Sequence, residues 1–454
     1  MREKLIPDEG AIYGWIEEVF GHGIRRPGYP ADRWAEEWAQ ERFRALGLER
    51  VRAEPVEMRS WEPLEATLAV TGAAGASIDV PCFPLPYAAG TVGVEAELVA
   101  FDAASPDVVR GAIALVDVPF MRVPSSYYRD HLATWSYDPD DTFSTSTHVL
   151  PFGRGMQHAL EPAMEAGALG FVGVLSGHPG DINEYYVPYD AVERPVPGAW
   201  ISASDGRRVT EVLAKGPARA RLRVVTKTEP ITSYNIVGEL PGADEDTVII
   251  GSHHDGPWSS AVEDASGISL VLAQAAYWSR VPQKERPHRL VFLLNSGHMA
   301  GGAGQAAFVR EHRAELDSCV LEVHLEHAAN EVVERDGSLM ETGRPEVRWW
   351  FTSRLARVDA ALRAAIEAER LERSLMLKPD AFDVKPTTDG ADFHLAGVPL
   401  VHFLVAPWFL FDSMDTLDKI HRPTLVPLTR AAVRVIESTT GVSAAVMRSE
   451  PIAD

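Results

Sequence analysis

Short apolar runs alternate with amphipathic or small-residue stretches through the second half of the chain, and this rhythm predicts alternating strands and helices. Thr247-Val248-Ile249-Ile250 is β-branched and apolar, reading as a buried strand, and Ile268 to Tyr277 behind it reads as a helix. Arg289 to Leu294 is a second apolar run, followed by the glycine-rich Asn295 to Gly304. Cys319 to Glu326 is a third strand candidate. Alternation begins at Ser233 to Leu240 and continues through a long Ala- and Arg-rich helix from about Leu355 to Glu372 and a last helix from about Pro427 to Gly441. Near the start, Asp32 to Gly47 carries apolar residues at helical spacing and ends on a glycine, and residues 50–70 alternate as a strand does. Between them lies a different texture. Residues 73–229 are rich in Pro, Gly and Ala, with short β-like runs at Val109–Asp117, Ala163–Val174 and Val196–Ser202. The pattern predicts an α/β protein built on a mixed, largely parallel sheet flanked by helices, with residues 1–72 and 230–454 as one body and 73–229 as a β-rich insert.

Chemistry concentrates at the ends of the predicted strands. Residues 251–267 place His253, His254, Asp255, Glu263 and Asp264 in a single strand-to-helix loop, and the next two strands end near His298 and Glu326. Open α/β sheets bind ligands at the carboxyl ends of their strands. Histidine with carboxylates there suits a divalent metal. His327 follows Glu326 and, by strand alternation, points to the opposite face. His324 shares the face of Glu326 but lies deeper, as a core histidine would. His254 faces either the substrate pocket or solvent, and Asp264 is an alternative ligand to Glu263.

In order and spacing these segments resemble the metallopeptidase family that includes zinc aminopeptidases, glutamate carboxypeptidase and glutaminyl cyclases. His253-His254-Asp255 matches the family's His-x-Asp, and Glu263-Asp264-Ala265-Ser266-Gly267 matches its Asp-x-x-Ser-Gly with Glu in the metal-bridging place. His298-Met299 stands where the family has a Glu-Glu pair, before Gly301-Gly302 and Phe308. Glu326 takes the place of a later metal-binding Asp. Thr388-Asp389-Gly390 matches Ser-Asp-His, and Phe411, before Asp412-Ser413-Met414-Asp415-Thr416, stands where a metal-binding His is found. The looser match of 73–229 is to a protease-associated domain.

The resemblance implies one metal held by His253, Glu263 and Glu326, with the second metal's ligands replaced by Met299 and Phe411, which bind such ions poorly. One His with two carboxylates leaves positions open for water and substrate, as in catalytic zinc sites, and iron or manganese also suits that set. His298 falls on the general-base position, with ligand and substrate contact as its other roles. Asp255 would hold the His253 ring in its ligating tautomer. Met299, Phe411, His327 and Asp389 would line the substrate pocket. The expected activity is mononuclear-metal hydrolysis of an amide or related C–N bond in a small molecule or short peptide. The alternatives are a non-hydrolytic metal enzyme (lyase, cyclase or oxygenase) and a catalytically dead ligand-binding relative.

The remaining composition bounds the partners. Among 454 residues the formal net charge is −22, which disfavours binding to nucleic acid or anionic membrane. The two cysteines, Cys82 and Cys319, indicate no disulfide framework. The first residues lack an apolar signal core and no run approaches the roughly 18 residues of a membrane span, so cytoplasmic residence is expected. Homo-oligomerisation is left open. The stretch 121–155, with Tyr127, Tyr128, Trp135, Tyr137 and Phe143 among acidic residues, reads equally as a surface excursion, a dimer contact or a pocket lid.

Overall fold

A computed structural model describes residues 1–153 and 156–453. Four parallel strands form the centre of a large mixed sheet: β1 (Thr247–His253), β2 (Arg289–Asn295), β3 (Cys319–Leu325) and β4 (Leu400–Val405). Their spatial order is β2-β1-β3-β4, so all four carboxyl ends open on one edge. Each is buried along nearly its whole length, as near-continuous apolar runs covered on both faces must be. Antiparallel neighbours continue the sheet on both sides: Ala218–Leu240 beside β2, and Arg348–Thr352 beside β4.

Helix Gly267–Ser279 starts directly after the His253 loop and is buried to its last turn. Helices Glu9–Gly21 and Leu425–Glu437 pack over it. Side chains such as Leu270, Val271 and Leu272, at 0% exposure, contribute about 1.5–3 kcal/mol each by leaving water. Among the described residues no helix is long and apolar enough to cross a membrane. Both cysteines are free thiols.

The expected helices and strands form close to their predicted limits: Pro30–Ala45, Glu49–Gly72, Ala356–Ala368 and Leu425–Glu437. The very long antiparallel pair Glu49–Gly72 and Ala218–Leu240 ties the first part of the chain to the sheet, and its far end pairs with Thr91–Ala100. Parallel strands at Ile113–Asp117, Gly170–Leu175 and Gly198–Ser202 follow from there. The 121–155 stretch, whose last two residues lie outside the described ones, packs on the opposite edge. Its strand Ala133–Tyr137 pairs with Ser374–Leu377, while Tyr128 and Phe143 are buried in a local core with Trp349 and Phe351. Those aromatics are therefore not pocket walls. Phe152, later in the same stretch, does approach the site, with its ring 5.2 Å from that of Phe411.

Candidate active site

Three imidazoles converge at the common edge, and each is held from behind. The Nδ1 of His253 donates to the backbone carbonyl of Asp255 at 3.0 Å, and that of His327 to the carbonyl of Val405 at 2.6 Å. The Nδ1 of His324 faces Glu322 Oε1 at 2.9 Å. A carbonyl or an ionised carboxylate oxygen only accepts, so these contacts place a proton on Nδ1 and turn Nε2 into the cavity. There the Nε2 atoms of His253, His324 and His327, both carboxylate oxygens of Glu263 and both of Asp389 have no hydrogen-bond partner. They face one another instead. Glu263 Oε1 lies 3.3 Å from His253 Nε2, and Glu263 Oε2 lies 2.6 Å from His327 Nε2. Buried polar groups are nearly always satisfied, so a cluster of orphaned nitrogens and oxygens facing inward fits a cation at its centre. The ligand atoms of His253, Glu263 and His327 all lie within 4.8 Å of one another, as do those of His324, Glu326 and Asp389, and those of His253, His298 and Asp389.

The electrostatics agree. Burial works to raise the carboxyl of Glu263, yet the His327 and His253 rings hold it far below its ordinary range. Burial likewise opposes charge on His327, but Glu263 and Glu326 pull its pKa up to about 10. Such mutual dependence between imidazoles and carboxylates is what a dication would replace.

The loop that carries Glu263 is braced on all sides. Buried Arg25 donates to the carbonyls of His254, Ser259, Ser260 and Glu263. Asp415 accepts the backbone N–H groups of Val262 (2.8 Å) and Glu263 (2.9 Å), and burial lifts its pKa to about 7. Asp264 turns away from the cavity, accepting from Ser252 Oγ and, at 3.1 Å, from the N–H of Gly267. A side chain at Gly267 would collide with that carboxylate, its Cβ falling 2.2 Å from Oδ2.

Several residues sit elsewhere than the sequence suggested. His327 is not on the opposite face. Its φ of +55° ends the strand's alternation and swings the ring to Glu263. Glu326, expected beside His253 and Glu263, groups with His324 and Asp389, its Oε1 3.7 Å from His324 Nε2. Asp389, expected on the pocket wall, lies among the metal-capable groups. His254 faces neither pocket nor solvent; its ring is 3.1 Å from Asp32 and 2.9 Å from the Tyr234 carbonyl. Asp255 approaches the His253 ring through its carboxylate only at 3.5 Å, and spends both oxygens on the N–H groups of His298 (3.1 Å) and Met299 (2.8 Å). It thereby fixes the His298 turn, while its carbonyl sets the His253 tautomer.

His298 occupies the more open side, 14% exposed, with Nε2 3.7 Å from Glu263 Oε1. Burial and the neighbouring His253 lower its pKa, favouring the neutral ring. Met299 and Phe411 are buried and apolar. Tyr189 was missed by sequence reasoning, because nothing in its surroundings marks it. It reaches in from the 73–229 region to cover both His298 (rings 5.3 Å apart) and Phe411 (4.9 Å), and its carbonyl accepts the Gly301 N–H at 2.8 Å. The positive φ of Gly301 and Gly302 makes that close approach feasible.

Comparison with known proteins fits this geometry. Leucine aminopeptidase 2 of Arthroderma otae is 30% identical over 114 residues, and a probable leucine aminopeptidase 2 of Aspergillus fumigatus is 30% identical over 141. These matches cover 24% and 30% of this chain, and only 23% and 25% of the relatives' own lengths. Among solved structures, a peptidase M28 precursor from Shewanella amazonensis superposes with a TM-score of 0.71 at 20% identity, over 95% of this chain and 93% of that one. A zinc aminopeptidase from Bacillus subtilis gives 0.63 at 18% identity, over 94% and 95%. At such identities the likeness is one of fold. Residues 235–436, which contain all four central strands and the histidines and carboxylates of the cavity, match the model of peptidase family M28.

Proposed function

We propose that the protein is a metal-dependent hydrolase that cleaves an amide or related C–N bond of a short peptide or small molecule. The observation that carries this reading is the set of orphaned, inward-facing Nε2 atoms opposite Glu263 and Asp389. His253, Glu263 and His327 would hold the ion, with zinc the best match to that donor set. When bound, a dication there supplies Lewis acidity toward a carbonyl and a water molecule.

The chain's own residues supply the rest. His298, kept neutral by burial and by His253, accepts a proton at Nε2 and returns it to the departing nitrogen. Asp255 fixes the turn that aims this ring. Met299, Phe411 and Tyr189 form an apolar wall that excludes water and suits an uncharged acyl or side-chain group better than a free ammonium. Removal of a residue with a free N-terminal amine, as in the leucine aminopeptidases it resembles, is accordingly the less favoured use of the pocket. We also read residues 73–229 as an inserted protease-associated-like domain that shapes the pocket. Tyr189 supports this, as does the buried contact of His178 with Asp412 at 2.7 Å, next to Phe411.

The test combines metal analysis with a panel of amides, N-blocked and N-free. The reading expects bound zinc, inactivation by chelator, recovery on adding Zn²⁺, and an about 10²–10⁴-fold loss in His298→Ala with metal content unchanged. Protein that takes up no metal, or hydrolysis indifferent to chelation, overturns it.

A further inference from the structure

We infer that a second divalent cation binds beneath the first, held by His324, Glu326 and Asp389. This rests on the proposed metal-dependent reading, and uses residues other than the Met299 and Phe411 positions where the family resemblance places a second ion. The ligand atoms of the three residues lie within 4.8 Å of one another, and all three side chains are buried. His324 Nε2 and Asp389 Oδ1 are in direct contact, and the other oxygen of Asp389 has no hydrogen-bond partner.

Two further features distinguish this pocket from a simple histidine–aspartate pair. Behind His324, Glu322 Oε1 takes the Nδ1 proton at 2.9 Å, its other oxygen meets His402 Nε2, and His402 Nδ1 faces Thr388 Oγ1 at 2.7 Å. A carboxylate behind an imidazole is the support that metal-binding histidines characteristically have. Glu326 also spans the two pockets, with Oε1 3.7 Å from His324 Nε2 and Oε2 3.8 Å from His327 Nε2, as a bridging carboxylate does. The direct His324–Asp389 contact sets one imidazolium between two buried carboxylates, a charge imbalance that a dication between these side chains would remove. The backbone is shaped for this contact. At Gly390 a Cβ would fall 2.5 Å from His402 and 3.0 Å from His324, so only glycine lets the Asp389 loop rest on these rings. One imidazole with two carboxylates suits Zn²⁺ or Mn²⁺.

The experiment is metal stoichiometry on chelator-stripped full-length protein titrated with Zn²⁺, read by elemental mass spectrometry after desalting, with Mn²⁺ loading followed by electron paramagnetic resonance. Two equivalents in the wild type, one in His324→Ala and in Asp389→Asn, and a spin-coupled Mn²⁺ signal confined to the wild type support the proposal. Saturation of the wild type at one equivalent with an isolated Mn²⁺ signal overturns it, as do two equivalents retained in both variants. Should the variants not fold, the wild-type stoichiometry and signal decide alone. Absence of any bound metal overturns this proposal and the hydrolase reading together, so one equivalent and none separate the two failures.

Discussion

His253 and His254 are neighbours in sequence, yet each sits in a buried cluster of histidine and carboxylate, and the two clusters behave differently. On one side, His253 joins Glu263 and His327; on the other, His254 joins Asp32 and Glu36. Both sets lie within ligating distance and both are buried. What separates them is how far their remaining polar atoms are satisfied. Glu36 Oε1 takes the N–H of Tyr234 and the hydroxyl of Ser233, Asp32 Oδ2 takes the N–H of Gly28, and His254 Nε2 gives its proton to the Tyr234 carbonyl. Only His254 Nδ1 and Asp32 Oδ1 are left without a hydrogen bond among the atoms of that pair, and they meet each other at 3.1 Å as a single ion pair inside an otherwise hydrogen-bonded cluster. The His253 cluster leaves both oxygens of Glu263 and two imidazole nitrogens unspent. Proximity of ligand-type residues is thus a weak signal, and unspent lone pairs are the strong one.

The sharpest way to break this contrast is to neutralise Glu263. Glu263→Gln should lose bound zinc and about a thousand-fold in kcat/KM, several kcal/mol of transition-state stabilisation, by kinetics and elemental analysis. Asp32→Asn should do the reverse. It should cost about 3 kcal/mol in urea unfolding by leaving His254 unpaired in the interior, while the zinc content of the folded fraction stays at the wild-type value. Equal loss of metal in both variants would erase the distinction drawn above.

A histidine in neither cluster provides a pH control. Burial and the nearby Arg348 depress His421 to about 4. Its unfolded pKa near 6.5 is higher, so the unfolded chain binds more protons in this window. Its contribution to stability is therefore complete above about pH 6.5, falls as pH drops toward 4 and is flat below. The wild type should lose about 2 kcal/mol more than His421→Asn between pH 7 and pH 4, after allowance for partial solvent access, as measured by denaturation at the two pH values. The smallest effect is expected at Asp255. Asp255→Asn keeps the carbonyl that orients His253 but weakens its grip on the His298 turn, so kcat should fall about tenfold with zinc retained, visible as a change in kcat more than in KM.

Much of the site was legible in the chain. The apolar runs became β1, β2 and β3, the first running on past Ile250 to include His253. Those strand ends with the family motif pointed to His253, Glu263, His298 and Glu326 as candidates, of which Glu326 groups with His324 and Asp389 instead. Alternation failed at His327, because the strand rule stops applying where φ turns positive. The deeper pocket was hidden for another reason. His324 read as an ordinary core histidine, since its partners Asp389, Glu322 and His402 come together only through the register of β3 against β4, which sets His324 opposite His402. Tyr189 and Arg25 carry no local mark at all. They act by reaching from remote segments onto Phe411 and onto the carbonyls of the 254–263 loop.

The linear order of apolar and small residues determined the sheet and delivered acids and imidazoles to its open edge, because strand length, burial and turn chemistry are local properties. Which nitrogen faces which oxygen, and how many lone pairs stay unspent around each of two adjacent histidines, was decided by tertiary packing. A lone pair is spent or spared only when groups far apart along the chain arrive within about 3 Å.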